Sequence, residues 1–169
     1  FRMPIRKKKN MAGGAEHVRQ IHNAKKPIKI GIVGKYFGTG AFTLADSYIS
    51  VIEALKHAAW TEKCVPELHW LSAEEYEHDP KALWSLRDFD GIVVPGGFGS
   101  RGVEGKIRVI EFCRKNSIPY FGLCYGMHLA VVEFARNVAG MEDANTTEVN
   151  PKTKYPVIDV LPEQKENIA

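Results

Sequence analysis

An open, mostly parallel α/β sheet with helices on both faces is predicted by three observations. Compact apolar runs at residues 28–33, 65–71, 89–95 and 118–122 alternate with stretches of helical apolar period. Short loops join them, the arrangement of a parallel sheet covered by helices. The turns that follow the third and fourth runs are both rich in glycine, so they fall on one carboxyl edge of the sheet.

The elements follow in order. Residues 1–27 lack a sustained apolar period and contain Gly13-Gly14 and Pro27. They read as a connector, with at most a short helix over 16–21. Residues 28–33 are β-branched and form a buried first strand. The loop Gly34-Lys35-Tyr36-Phe37-Gly38-Thr39-Gly40 has neither the spacing of a phosphate cradle nor that of a dinucleotide fingerprint, and it reads as a substrate-facing loop. Asp46 or Ser47 caps a helix to about Trp60, with Ile49, Ile52, Leu55 and Ala59 on one face. Residues 65–71 make the second strand. Residues 72–80 are acidic and turn-like, and 81–87 a short helix. Residues 89–95 are the third strand, followed by Gly96-Gly97-Phe98-Gly99-Ser100-Arg101-Gly102. Four glycines in those seven residues free the backbone amides to face an anion. Residues 103–116 are helical, with Val103, Ile107, Ile110 and Cys113 facing inward. The fourth strand leads to a second helical pattern of Met127, Ala130, Val131, Phe134 and Val138, which Gly140 ends. In the remainder, Pro156 and Pro162 bracket one apolar run, an edge strand at best.

Composition bounds the class. A chain of 169 residues builds one core of ordinary size. With 44% hydrophobic and 25% charged residues it is globular. No apolar run approaches the roughly 20 residues that span a bilayer, so no membrane partner is expected. Three cysteines at no metal-like spacing point to a reducing, cytoplasmic compartment and to no metal site. The net charge of +3 is uneven: residues 1–29 carry nine Lys or Arg and one Glu, and the rest is acidic. Arg6-Lys7-Lys8-Lys9 has no accompanying aromatic or glycine pattern, so it reads as a solvated linker and not as a nucleic-acid contact. The chain starts with Phe, and a preceding segment is expected.

The chemistry concentrates at Gly122-Leu123-Cys124-Tyr125-Gly126. A strand, a sharp turn and a helix meet there, and G-x-C-x-G is the thiol counterpart of the G-x-S-x-G nucleophile elbow. The glycines let the backbone reverse against its neighbours. The turn raises the sulfur at a helix N-terminus, where the helix dipole favours negative charge. The Tyr125 N–H forms half of an oxyanion hole, and the Gly96-Gly97 amides on the same sheet edge complete it. Cys64 and Cys113 lie in apolar patterns without flanking glycines and read as buried small hydrophobes.

Gly122-Leu-Cys-Tyr-Gly-Met127, with Pro95-Gly-Gly-Phe-Gly-Ser-Arg-Gly102 upstream, resembles a class I glutamine amidotransferase domain of flavodoxin-like fold. More narrowly, the chain is similar to the glutaminase half of the CTP synthases. Val33-Gly-Lys-Tyr36, Ser50-Val-Ile-Glu-Ala-Leu-Lys-His57, Glu133-Phe-Ala-Arg-Asn137 and Glu142-Asp-Ala-Asn-Thr-Thr-Glu148 support that narrower likeness. Residues 28–169 resemble a C-terminally incomplete amidotransferase domain, and 1–27 the linker from a preceding synthetase domain. The resemblance implies that the complete enzyme makes CTP from UTP, ATP and glutamine. ATP and magnesium act in the synthetase domain, joined in cis; GTP stimulates, and the whole assembles as a homotetramer. Cys124 is then the nucleophile that forms a glutamyl thioester. Gly96, Gly97, Tyr125 and Gly126 belong to the oxyanion and glutamine site, with Met127 and His128 lining it. Glu148 meets the substrate's α-ammonium group, and Phe98 and Arg101 lie on a loop that responds to GTP.

The sequence departs from that family where Leu and Gln are usual: Tyr125 and His128 stand there. Tyr125 still supplies a backbone amide, whereas His128 replaces a side-chain amide. The family also carries a His-x-Glu that serves as base, and none of His17, His22, His57, His69, His78 and His128 has that spacing. A chain cut before its final strands, inactive alone, is expected. The alternatives are a non-catalytic regulatory glutaminase-like domain and a thiol hydrolase of related fold.

Overall fold

The computed structural model describes residues 11–34 and 48–165. Helix α1 (Ala12–Asn23) precedes strand β1 (Lys26–Gly34), and α2 (Ile49–Thr61) leads to β2 (Cys64–Ser72). Helix α3 (Ala73–His78) and a 3-10 helix (Pro80–Asp88) precede β3 (Gly91–Val94). Then come α4 (Val103–Lys115), β4 (Tyr120–Gly122), α5 (Tyr125–Asn137), β5 (Ala144–Thr146), β6 (Tyr155–Ile158) and α6 (Pro162–Lys165). The order β2-β1-β3-β4 makes one sheet, parallel throughout; β5 and β6 pair as a second, also parallel.

The pleat assigns the faces. Successive side chains point to opposite sides of a strand. Ile92 and Val94 pack with Tyr76, Leu86, Val109 and Cys113, the core beneath α3 and α4. Val93 and Phe121 instead meet Val51, Ala54 and Leu55 of α2 across a groove on the other face. Helices therefore cover both faces, as the alternation of runs predicts. A second core joins α4 to α5 through Val103, Ile107, Ile110, Leu129 and Val132. Bidentate bonds from Arg114 to the buried carboxylate of Glu133 add to that joint, and Asn137 donates to the same carboxylate. Arg136 does the same between α5 and its neighbours, reaching Glu104 on α4 and the Ala144 carbonyl on β5.

Several expectations need correction. The acidic segment after β2 is helical, because Ala73 and Tyr76 are buried and Arg108 of α4 donates to the carbonyls of Tyr76 and Glu77. The short helix expected over 16–21 is present but longer: α1 runs from residue 12 to residue 23 and lies against α2, with the His17 ring tilted at 45° to that of His57, centroids 4.3 Å apart. Strand β1 also begins at Lys26, within the segment read as connector. Ile49 is exposed although it shares the predicted inner face of α2 with the buried Ile52 and Ala59. The expected cap residues, Asp46 and Ser47, and the loop 35–40 lie outside the described residues. Helix α5 turns Leu129, Val132 and Ala135 inward, leaving Met127, Val131, Phe134 and Val138 exposed. It ends at Asn137, and Gly140 lies beyond in the left-handed region, φ 72°. Cys64 is only half-buried, whereas Cys113 is fully buried. Pro156 sits within β6, whose partner β5 has no apolar signature. Among the described residues no helix is long and apolar enough to cross a membrane.

Two outcomes follow from this packing. A Cβ on Gly105 would lie 1.8 Å from the Ala73 carbonyl oxygen, whereas one on Gly13 would meet nothing within 4 Å. Gly105→Ala is expected to cost at least about 2 kcal/mol as α4 is forced off α3, and Gly13→Ala to stabilise by about 0.5 kcal/mol; urea denaturation of both variants measures the contrast. Burial pushes the Cys113 thiol from the ordinary 9.0 up to about 12. The unfolded chain therefore loses this proton first, so stability is held below pH 9 and falls as pH rises toward 12. Tyr125 and Tyr120 are raised by burial as well and steepen the fall at its upper end. Urea midpoints across that range are expected to decline, with a shallower slope in Cys113→Ala.

Candidate active site

Cys124 lies between β4 and α5, exposed, with φ 50° and ψ −106°. That is an unusual conformation for a residue with a Cβ, and its neighbours enforce it. A Cβ on Gly126 would stand 2.1 Å from the Val94 carbonyl oxygen, and one on Gly122 would stand 2.6 Å from the Gly126 backbone. Only glycine at both positions allows the first turn of α5 to press against the ends of β3 and β4. Leu123 N–H donates to the Val94 carbonyl at 2.9 Å, and the Tyr120 hydroxyl donates to the Gly126 carbonyl at 2.8 Å. His128 N–H already donates to the Cys124 carbonyl at 3.0 Å, so the helix starts at once. The Cys124 side chain makes no capping bond to its own helix.

The Gly-rich loop runs alongside. A Cβ on Gly96 would meet that of Cys124 at 3.7 Å, and the nearest atom to one on Gly97 is the Lys106 Nζ at 3.9 Å. Gly99 is held at both polar groups. Its N–H donates to Glu148 Oε1 at 2.9 Å, and its carbonyl accepts from the Tyr125 hydroxyl at 2.7 Å. Further along, Arg101 reaches Glu74 on α3 with Nε at 2.6 Å and Nη2 at 2.9 Å. Phe98 projects outward, 84% exposed.

Glu148 owes its place to the small sheet. Thr147 N–H donates to the Ile158 carbonyl, the Thr147 hydroxyl to Asp159, and Val149 N–H to Thr146. The turn after β5 thus delivers Glu148 to the loop. A cleft of about 380 Å³ opens there, lined by His128, Thr146, Thr147, Glu148 and Asp159 together with the apolar Ile158 and Val160. The structure therefore groups Gly96 with Cys124, ties Tyr125 and Glu148 to Gly99, and sets His128 and Glu148 on one cleft. It does not place Met127 there: that side chain lines an apolar groove with Val131, Phe134 and Met141. The Tyr125 phenol is pushed up to about 12, by burial first and then by the charge of Glu148.

Lys106 was not among the expected site residues. It is 2% exposed, stands next to Gly97, and holds its ammonium 5.4 Å from the Tyr125 ring centroid. Its signal was its place in sequence: residue 106 shares the inward face of α4 with Val103, Ile107 and Ile110. Thr146, Thr147 and Asp159 were missed as well, because the pairing that gathers them is short and non-local. Among the described residues no group of three or more His, Cys, Asp or Glu side chains is placed to hold a metal ion.

Residues 43–165 match the family described as "Glutamine amidotransferase class-I". The chain is 50% identical over 151 residues to the CTP synthase of Methanococcoides burtonii, covering 89% of this chain and 27% of that protein. It is 48% identical over 159 residues to the CTP synthase of Sulfolobus acidocaldarius, covering 94% of this chain and 29% of that one. It thus spans somewhat over a quarter of the length of the curated relatives it matches. Among solved structures it is similar to "Trypanosoma brucei CTPS - glutaminase domain with bound acivicin", with a TM-score of 0.74 and 37% identity over 81% of this chain and 51% of that one. The strained cysteine turn, the glycine loop beside it and strands β2, β3 and β4 of the parallel sheet all fall within residues 43–165, and the chain belongs to the class-I glutamine amidotransferase family.

Proposed function

We propose that this chain is the glutaminase part of a CTP synthase, hydrolysing glutamine and supplying ammonia for the amination of UTP. The carrying observation is Cys124, an exposed residue fixed at φ 50° with Gly96 beside it. The similarity to a glutaminase domain that binds acivicin supports it.

In this reading the sulfur attacks the side-chain amide carbon of glutamine. The electron pair moves to the carbonyl oxygen, which the N–H groups of Gly97 and Tyr125 receive. Collapse of that oxyanion expels ammonia, which takes its third proton from a general acid, and leaves a glutamyl thioester. Water then attacks the thioester, releasing glutamate and restoring the thiol. Glu148 and His128, which line one cleft, bind the substrate's amino-acid end, with Glu148 paired to its α-ammonium group. One Glu148 oxygen is already engaged by Gly99, so the other is the one assigned to substrate. Gly126 serves through the close approach it permits, and Met127 acts at most as an apolar wall. Phe98 and Arg101 belong to a loop that responds to GTP; the Arg101–Glu74 pair is the tie such a response would alter.

The relay that protonates the leaving ammonia needs a histidine oriented by a carboxylate. None of the chain's six histidines has the His-x-Glu spacing. The reading assigns that pair to polypeptide outside these 169 residues. The same holds for ATP, UTP and magnesium, which belong to a synthetase domain in cis, and for assembly as a homotetramer in the cytoplasm.

The complete polypeptide is expected to release ammonia from glutamine, and Cys124→Ala to lower that rate by at least about a thousandfold. Coupled detection of glutamate measures it. If the parent releases no ammonia from glutamine while free ammonia still supports CTP formation, the domain is regulatory and the proposal fails.

A further inference from the structure

We infer that the side chain of Tyr125 is a positioning residue for glutamine hydrolysis, its hydroxyl holding the Gly-rich loop at the distance that lets the loop's N–H and Tyr125's own N–H bind one oxygen. The inference rests on the glutaminase reading and goes beyond it, because that reading uses only the backbone of Tyr125.

The geometry is specific. Tyr125 is the first residue of α5, so its N–H has no acceptor within the helix. It follows Cys124 directly, on the elbow side of the site. Its side chain is 1% exposed and packs in the core between α4 and α5 with Val103, Ile107 and Leu129. From there it crosses to the loop, where the hydroxyl donates to the Gly99 carbonyl at 2.7 Å. One residue thus supplies a donor on one side of the oxyanion and a strut to the segment that supplies the other. The far side of Gly99 is held by Glu148, and the Tyr125 ring rests against the Lys106 ammonium next to Gly97.

The tie, which the family's usual Leu would not make, acts on a segment with little order of its own. Residues 96–102 include four glycines and no regular structure, so many backbone conformations compete with the one observed. Oxyanion donors act only over a narrow range of distance, and a displacement of about 1 Å is enough to cost up to about a hundredfold. A leucine-sized side chain at residue 125 would fill the core but could not tie the loop.

The test uses the complete polypeptide and Tyr125→Phe, which keeps the ring, its packing and its contact with Lys106 and removes only the hydroxyl. Glutamine hydrolysis and the rate at which iodoacetamide alkylates Cys124 are measured together. Alkylation builds no oxyanion, so it reports the thiol without the loop. The expected result is a kcat about tenfold lower, with KM and the alkylation rate each within about twofold of the parent. Tyr125→Leu is expected to show the same split, and serves where Tyr125→Phe expresses poorly. A kcat within twofold of the parent overturns the inference, as does a rise in KM alone, or an equal loss of kcat and alkylation rate. Cys124→Ala runs in parallel. If the parent hydrolyses no glutamine, or Cys124→Ala hydrolyses it at the parent's rate, the function and the inference fall together. An active parent, an inactive Cys124→Ala and an unimpaired Tyr125→Phe overturn the inference alone.

Discussion

The close approach of the α5 backbone to the carboxyl ends of β3 and β4 is the constraint from which the rest of this structure follows. The Val94 carbonyl accepts from Leu123 N–H and at the same time lies where a Cβ of residue 126 would be. The chain must therefore leave β4, reverse and begin a helix with almost no room. Cys124 absorbs the reversal at φ 50°, a conformation worth about 1–3 kcal/mol of strain for a residue with a Cβ. The strain persists because Tyr120, Leu123 and Gly126 fix both sides of the turn by hydrogen bonds. The same turn leaves Cys124 exposed while its neighbours Tyr125 and Gly126 are buried.

The glycine loop meets that turn under different physics. It has no ladder of its own, and order comes from ties to elements distant in sequence. Gly99 is bound by Glu148, 49 residues away, and by Tyr125, 26 residues away; Arg101 is bound by Glu74, 27 residues away on the other side. The ion pair is exposed and contributes at most about 1 kcal/mol. The Tyr125 bond is made from a buried side chain already fixed in the core, so little further side-chain entropy is lost in forming it.

What the sequence disclosed divides along the same line. The elbow was legible because its requirement is local: glycines two residues on either side of Cys124, after an apolar run and before a helical period. The inward face of α4 was legible because Val103, Ile107, Ile110 and Cys113 repeat at helical spacing. Helix α5 is apolar on more than one side, so periodicity could not say which face is buried, and Leu129 and Val132 were passed over for Met127 and Val131. Helix α3 reads as a turn in the sequence because its acidic residues hide the burial of Tyr76, and because Arg108, which satisfies its last carbonyls, lies on another helix. Buried charge was the hardest to read. Glu133 is acceptable in the interior only because Arg114 and Asn137 meet it. Lys106 is similar in kind, a charge concealed within an apolar pattern.

The strand order explains why loop 96–102 bears on so much of the site. From β1 the chain passes to β2 on one side, and later to β3 on the other. The sheet therefore switches direction between β1 and β3, where open α/β sheets form a crevice at the carboxyl ends of their strands. Cys124 does not come from either of those strands; it stands at the end of β4, one place further out. The segment after β3 is the only described stretch that borders both places, because β3 pairs with β1 on one side and β4 on the other. Among the described residues, that segment is the one that joins a nucleophile on β4 to a crevice centred on β1 and β3. Gly96 places that segment beside Cys124, and its glycines leave it without a conformation of its own. Its fixed points have to come from outside, and they come from three directions: α3, the turn after β5, and the residue that follows the nucleophile.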